Sequence, residues 1–187
     1  KQLVTAQNSD GCWPWFKGGY SSSYVTRTIL MDYGRMKKLG WLTLPDIHTD
    51  KAVKEQSKEV ERNYQSMVQH NPAWLLTLKP TASIIEYLHI RTLYADAEVP
   101  FGEADKFYLS NLEVYADEIE SLYLRGLAAL VLHAHGKDSR ANGLMRDIRR
   151  EAHRSEALGM YWPSKNGRCP DIRVQVVMME AFDEILH

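Results

Sequence analysis

Apolar residues recur along this chain at spacings of three and four, and clusters of Ser, Gly and Pro cut the recurrence into seven segments that predict α-helices. The first covers 23–39, with Ser21, Ser22 and Ser23 available as caps, Gly40 as a stop, and a broad stripe of Val25, Ile29, Leu30, Tyr33, Met36 and Leu39. The second, 50–70, has only a narrow stripe of Val53, Val60, Tyr64, Met67 and Val68 among charged residues. The third, 82–95, follows Pro80 and is apolar on nearly every side. A mixed fourth segment, 103–114, precedes a fifth, 117–134, whose leucines, alanines and Val131 make it the most buried element expected. The sixth, 139–153, is amphipathic, and the seventh, 172–186, is apolar again. No pair of alternating segments predicts a β-hairpin.

The order is buried, exposed, buried, mixed, buried, exposed, buried. Helices that step between an inner and an outer layer produce such alternation, because inner helices touch protein on all sides. The expected fold class is therefore all-α: a partial α/α toroid, or an α-solenoid, of about seven helices alternating inner and outer. A four-helix bundle would give every helix a similar stripe, which the second and fifth segments do not share.

The two ends repeat one another. Asp10-Gly11-Cys12-Trp13-Pro14-Trp15-Phe16 and Gly159-Met160-Tyr161-Trp162-Pro163 each form a turn that opens an apolar helix. The 149-residue shift from Trp13 to Trp162 also lays Pro163 on Pro14, Val174 on Val25, Met179 on Leu30 and Phe182 on Tyr33, without a gap. One structural unit used at least twice explains the match, with Trp13, Trp15, Phe16 and Trp162 expected as structural anchors.

At 187 residues, with 44% hydrophobic and 10% aromatic residues, the chain can bury a core and is not disordered. The 23 Lys and Arg nearly balance the 24 Asp and Glu, which gives no field to draw nucleic acid. No run approaches a membrane span, and the first residues lack the basic-then-apolar pattern of a signal peptide. Lys1-Gln2-Leu3-Val4 reads as the middle of an element, so we expect one domain over 1–187, cut from a larger multidomain protein. Cys12 and Cys169 define neither a disulfide framework nor a zinc site, and free structural thiols are the favoured reading.

Candidate chemistry is sparse. Glu86 and His89 stand three apart, as on a di-iron helix, but that motif occurs once, so a paired histidine is expected. His133 and His135 point in different directions, and His135 before Gly136 reads as a helix end. The Gly18-Gly19-Tyr20-Ser21-Ser22-Ser23 stretch lacks phosphate-loop and dinucleotide patterns and reads as a cap. Asp10, Glu86 and Asp171 are the acid/base candidates of a toroidal glycosidase or lyase, with Trp13, Trp15, Phe16, Tyr20 and Trp162 able to stack a sugar. Asp10 beside Gly11 reads more simply as a turn former, and aromatics at loop-to-helix junctions as core plugs. No cofactor, metal or catalytic constellation is read from these residues.

Gln7-Asn8-Ser9-Asp10-Gly11-Cys12-Trp13-Pro14-Trp15-Phe16 and Ser22-Ser23-Tyr24-Val25-Thr26-Arg27-Thr28-Ile29-Leu30 resemble the thioester-domain region of the α2-macroglobulin and complement superfamily, particularly its large bacterial members. The segments 85–91 and 158–163 extend the resemblance over most of the chain. It implies a terpenoid cyclase/prenyltransferase-like α/α toroid of six hairpins. The parent would be a secreted, periplasmic or outer-membrane-anchored lipoprotein that inhibits proteases broadly by trapping them. The partners implied are the parent's other domains and target proteases, with self-association through the open edge of an incomplete ring. In many members a Cys and a Gln three residues on form a thioester. Here Trp15 follows Cys12 at that distance and Ile172 follows Cys169, so no thioester lies in this segment and no catalytic residue carries over.

Overall fold

The computed structural model describes residues 2–41, 47–157, 159–163 and 171–186. Among them are nine α-helices, a 3-10 turn and one short antiparallel strand pair, in the order α1 (Gln2–Ala6), α2 (Ser23–Lys38), α3 (Thr49–His70), α4 (Pro72–Leu75), α5 (Ala82–Leu93), α6 (Glu103–Tyr115), the 3-10 turn Ala116–Glu118, α7 (Leu122–Ala134), α8 (Asp138–Arg150), β1 (His153–Ser155), β2 (Gly159–Tyr161) and α9 (Ile172–Leu186). The protein is mostly helical. The chain divides into two compact units, residues 1–108 and 109–187, with the division inside α6.

The three helices with the most buried surface begin in the same way. Ser22, Thr81 and Ser121 are the N-caps of α2, α5 and α7, and their hydroxyl oxygens accept from the N–H groups of Val25, Ile84 and Leu124. Each cap satisfies a donor that the first turn cannot bond internally. Two of these helices also end alike. Gly40 and Gly136 adopt positive φ, 70° and 72°. The N–H of Trp41 reaches Met36 O, and that of Lys137 reaches Leu132 O, both the six-to-one bond of a Schellman end.

In the first unit α2 packs on α5, and α3 lies against both. Leu30, Met31, Tyr33, Val53, Ile85, Leu88, Ile90 and Tyr94 fill the space between them. Gly34 permits the approach, since a Cβ there would stand 3.1 Å from Leu93 and Tyr94 side-chain atoms, and Tyr94 donates its hydroxyl to Leu30 O at 3.0 Å. In the second unit α7 packs on α8 and on α9. Every residue of α7 from Gly126 to Leu132 is buried. A Cβ at Gly126 would lie 2.4 Å from Val177 Cγ1, so glycine sets how closely α9 seats.

Several expectations need correction. The fifth predicted helix, 117–134, is broken by the 3-10 turn and restarts at Leu122, because Ser121 caps a new helix. The sixth stops at Arg150, and His153, placed in it by periodicity, pairs across β1 and β2 with Tyr161. That pair was not foreseen because each strand has three residues, too few to show alternation. The short helices α1 and α4 fall below the length at which periodicity registers. The seventh predicted helix spans Ile172–Leu186, but it is not buried all round. Val177, Met178 and Ala181 face the core, whereas Ile172, Val176, Met179 and Leu186 are exposed.

Candidate functional site

Trp13 and Trp162 are held alike. Trp13 is 1% exposed; its peptide N–H donates to Thr26 Oγ1 at 3.0 Å and its indole N–H to Leu3 O in α1 at 2.8 Å. Trp162 is 4% exposed; its peptide N–H donates to Gln175 Oε1 at 3.2 Å and its indole N–H to Ile148 O in α8 at 2.8 Å. Thr26 and Gln175 are each thirteen residues beyond their tryptophan, on the helix that the turn opens. In both copies the ring fills a core and the indole holds the helix before the turn. The peptide group meanwhile fixes the helix after it. Gln175 Nε2 also donates to Trp162 O, while Trp13 O accepts from the Ser22 N–H.

Trp15 and Phe16 are not core anchors, contrary to expectation: they are 70% and 73% exposed. The chain reverses direction after Pro14, which pairs with Ser21, so the residues between them stand out from the domain. Trp15 stacks on Tyr24, also exposed, with ring centroids 5.6 Å apart and planes inclined by 15°. Tyr20 is 99% exposed.

This loop is braced from beneath. Asn8 Nδ2 donates to Gly19 O and to Ser21 Oγ, and Ser21 Oγ donates to Asp10 Oδ2 at 2.7 Å. Asp10 Oδ1 accepts the Cys12 N–H at 2.9 Å, and Gln7 Nε2 donates to Gly11 O. Gly11 has φ 85°, and a Cβ there would lie 2.5 Å from Lys51 Cβ, so the Asp-Gly turn seats directly on α3. Asn8, Ser9, Asp10, Gly18, Gly19, Tyr20 and Ser21 line a cleft of about 390 Å³. Cys12 lies beneath, buried, and desolvation together with the Asp10 carboxylate pushes its thiol up to about 11, which makes it a poor nucleophile.

The acid/base candidates have separate local roles. Asp10 closes its turn, as above. Glu86 Oε2 lies 3.4 Å from Arg27 Nε, an α5-to-α2 ion pair. Asp171 accepts the Arg173 N–H at 2.9 Å beside its guanidinium, and these bonds lower its pKa. His89, expected to be paired, is buried with Nε2 3.4 Å from Arg35 Nη2, and burial followed by Arg35 and Lys38 holds its pKa well below the usual value. His133 Nδ1 lies 2.7 Å from Asp138 Oδ1, and His135 is the C-cap of α7. Cys169 lies outside the described residues.

A buried polar cluster went unread in the sequence. Arg91 donates to Asp105 Oδ2 and to Tyr87 Oη, both at 3.1 Å, and to Val99 O and Pro100 O. Tyr87 donates to Asp105 Oδ1 at 2.6 Å, and Asp105 Oδ2 accepts the Gly102 N–H. All three side chains are buried. The cluster pins the 99–102 connection onto α5. Its signal was an arginine inside an otherwise apolar helix, which demands a buried partner. No group of three or more His, Cys, Asp or Glu able to hold a metal occurs among the described residues.

Comparison of the chain with protein-family models, with curated proteins and with solved structures finds no match.

Proposed function

We propose that this chain is a noncatalytic part of an α/α toroid of the bacterial α2-macroglobulin-like type. It serves as a packing and interaction module in a secreted or periplasmic protein that inhibits proteases by trapping them. The observation that carries this reading is the twice-built turn, in which Trp13 and Trp162 each bond a side chain thirteen residues on and a carbonyl of the preceding helix. A tryptophan that ties a preceding helix to a following one, and recurs in one chain, supports a repeating helical architecture. The resemblance supplies the biological context.

A glycosidase or lyase would need two carboxylates about 5 to 9 Å apart across an aromatic cleft. Asp10 and Glu86 instead hold different local partners, a turn and an arginine on α2. A plain helical scaffold for a protein partner differs from our reading in context rather than structure. The apolar stripe of Ile172, Val176, Met179 and Leu186 on α9 is where this reading places self-association. Light scattering at rising concentration should show it, and a monomer throughout would remove that element.

The protein in its full natural length, mixed with a broad-specificity protease, provides the functional test. Trapping predicts that cleavage of a small peptide substrate persists while cleavage of a large protein substrate falls. Equal activity on both substrates would overturn the reading.

A further inference from the structure

The loop between Trp13 and Ser22 has a feature that a packing module does not require. Its aromatic rings point away from the core, yet its backbone is fixed. Gly19 donates its N–H to Phe16 O, Ser21 is bridged to Pro14, and Asn8, Asp10 and Ser21 hydrogen-bond one another below. Phe16 lies over Gly19, with ring atoms 3.2 and 3.4 Å from where a Cβ would stand, so a side chain at 19 would crowd the ring. Tyr20 lines the cleft and is 99% exposed. Burying two large rings would stabilise the fold, so their exposure on a braced loop calls for another partner.

We infer that the cleft formed by Asn8, Ser9, Asp10, Gly18, Gly19, Tyr20 and Ser21 binds a neutral glycan without catalysis. The chemistry of the lining selects this class. An aromatic face carries negative quadrupole charge and attracts the weakly positive C–H face of a pyranose ring. The rest of the lining, Asn8, Ser9, Asp10 and Ser21, offers hydrogen-bonding groups. Each Asp10 oxygen receives one internal bond and keeps acceptor capacity for a sugar hydroxyl, and Ser9 is exposed. The volume, about 390 Å³, falls in the ~300–1,000 Å³ range of small-ligand clefts. A carboxylate inside the cleft disfavours phosphate and anionic headgroups, and the polar lining disfavours an acyl chain. A loop already braced loses little freedom on binding. This inference stands independently of the protease-trapping reading, because it uses only the geometry of one loop.

The test is calorimetric titration of the full-length protein with short cello-, malto-, manno- and chito-oligosaccharides, in the natural form and as Tyr20→Ala, Phe16→Ser and Asp10→Asn. Saturable binding of at least one series is expected, weakened about tenfold or more by Tyr20→Ala, which removes a stacking ring. Because Tyr20 is almost wholly exposed, its loss should leave the thermal transition unchanged, so an affinity change is separable from misfolding. Asp10→Asn keeps an acceptor for the Cys12 N–H and should also weaken binding. Absence of heat with all four series, or equal affinity in Tyr20→Ala, would overturn the inference. So would Tyr20-dependent sedimentation with phosphatidylcholine or phosphatidylglycerol vesicles in the absence of glycan binding, which would reassign the loop to a membrane surface.

Discussion

The peptide N–H of Trp162 donates to Gln175 Oε1 in the same register in which Trp13 donates to Thr26 Oγ1, thirteen residues along the chain in each case. Two different side chains, an amide and a hydroxyl, supply one oxygen at one place. Repetition of the hydrogen bond with a changed acceptor means that the geometry, not the residue type, recurs.

Removing either anchor should therefore be costly. Trp13→Ala and Trp162→Ala should each destabilise by about 3 to 5 kcal/mol, measured by denaturant unfolding. Thr26→Val keeps the shape but orphans a buried N–H and should lose about 1 to 3 kcal/mol. A near-zero result for either tryptophan would remove it from the core.

Gly126 and Val177 set the seating of α9 on α7. Gly126→Ala gains helix propensity of about 1 kcal/mol, yet the new methyl would overlap Val177 Cγ1, and overpacking costs about 1 to 3 kcal/mol. Net destabilisation is expected. Combining it with Val177→Ala should recover part of the loss, giving a favourable coupling in a double-mutant cycle.

The buried Arg91–Asp105 pair, at 3.1 Å, should tolerate truncation poorly. Asp105→Ala leaves a guanidinium in the core and should cost about 3 to 5 kcal/mol. It also removes the carboxylate that, after desolvation, raises the Tyr87 pKa, so ultraviolet titration of the native variant should show a tyrosine ionising at lower pH.

His89 should make stability depend on pH. Burial first, then Arg35 and Lys38, lower its pKa in the folded protein, so the unfolded chain takes up its proton earlier as pH falls. Stability is therefore full above about pH 6.5 and declines below it, by at most about 1.4 kcal/mol per pH unit for this one group, until the folded value is reached. Denaturant unfolding of His89→Gln between pH 7 and 5 should show a shallower slope than the natural protein. Parallel slopes would exclude the histidine as the cause.

The pattern of apolar residues was enough to locate α2, α3, α5, α6 and α9 within a residue or two at each end, because long periodic segments bounded by Ser, Thr, Gly or Pro carry their own start and stop signals. It also located Trp13 and Trp162 as the repeated positions. It failed on the strand pair and on the break before Leu122, where three-residue elements and a cap compete with continuous hydrophobicity. For the candidate site, Tyr20 and Phe16 were legible as aromatics able to stack a sugar, but Ser21 was read only as a helix cap, and Asn8, Ser9 and Tyr24 were given no place in a site. The shift that aligns Trp162 with Trp13 also aligns Gln175 with Thr26, a signal that lay in the sequence unused.

The sequence by itself determined that this protein is mostly helical, that the leucine- and alanine-rich fifth segment is its most buried helix, where the first long helix is capped, and that Trp13 and Trp162 are matching positions. These are local properties, set by side-chain period and by the satisfaction of terminal N–H groups. Only the tertiary structure decided which aromatics are core. Trp13 and Trp15 are two residues apart in the same turn, yet one is buried under α1 and α2 while the other stacks on Tyr24 in solvent. Burial is a relation between a side chain and distant elements, and the Pro14–Ser21 pairing that turns Trp15 outward sits over a loop held by Asn8 and Asp10.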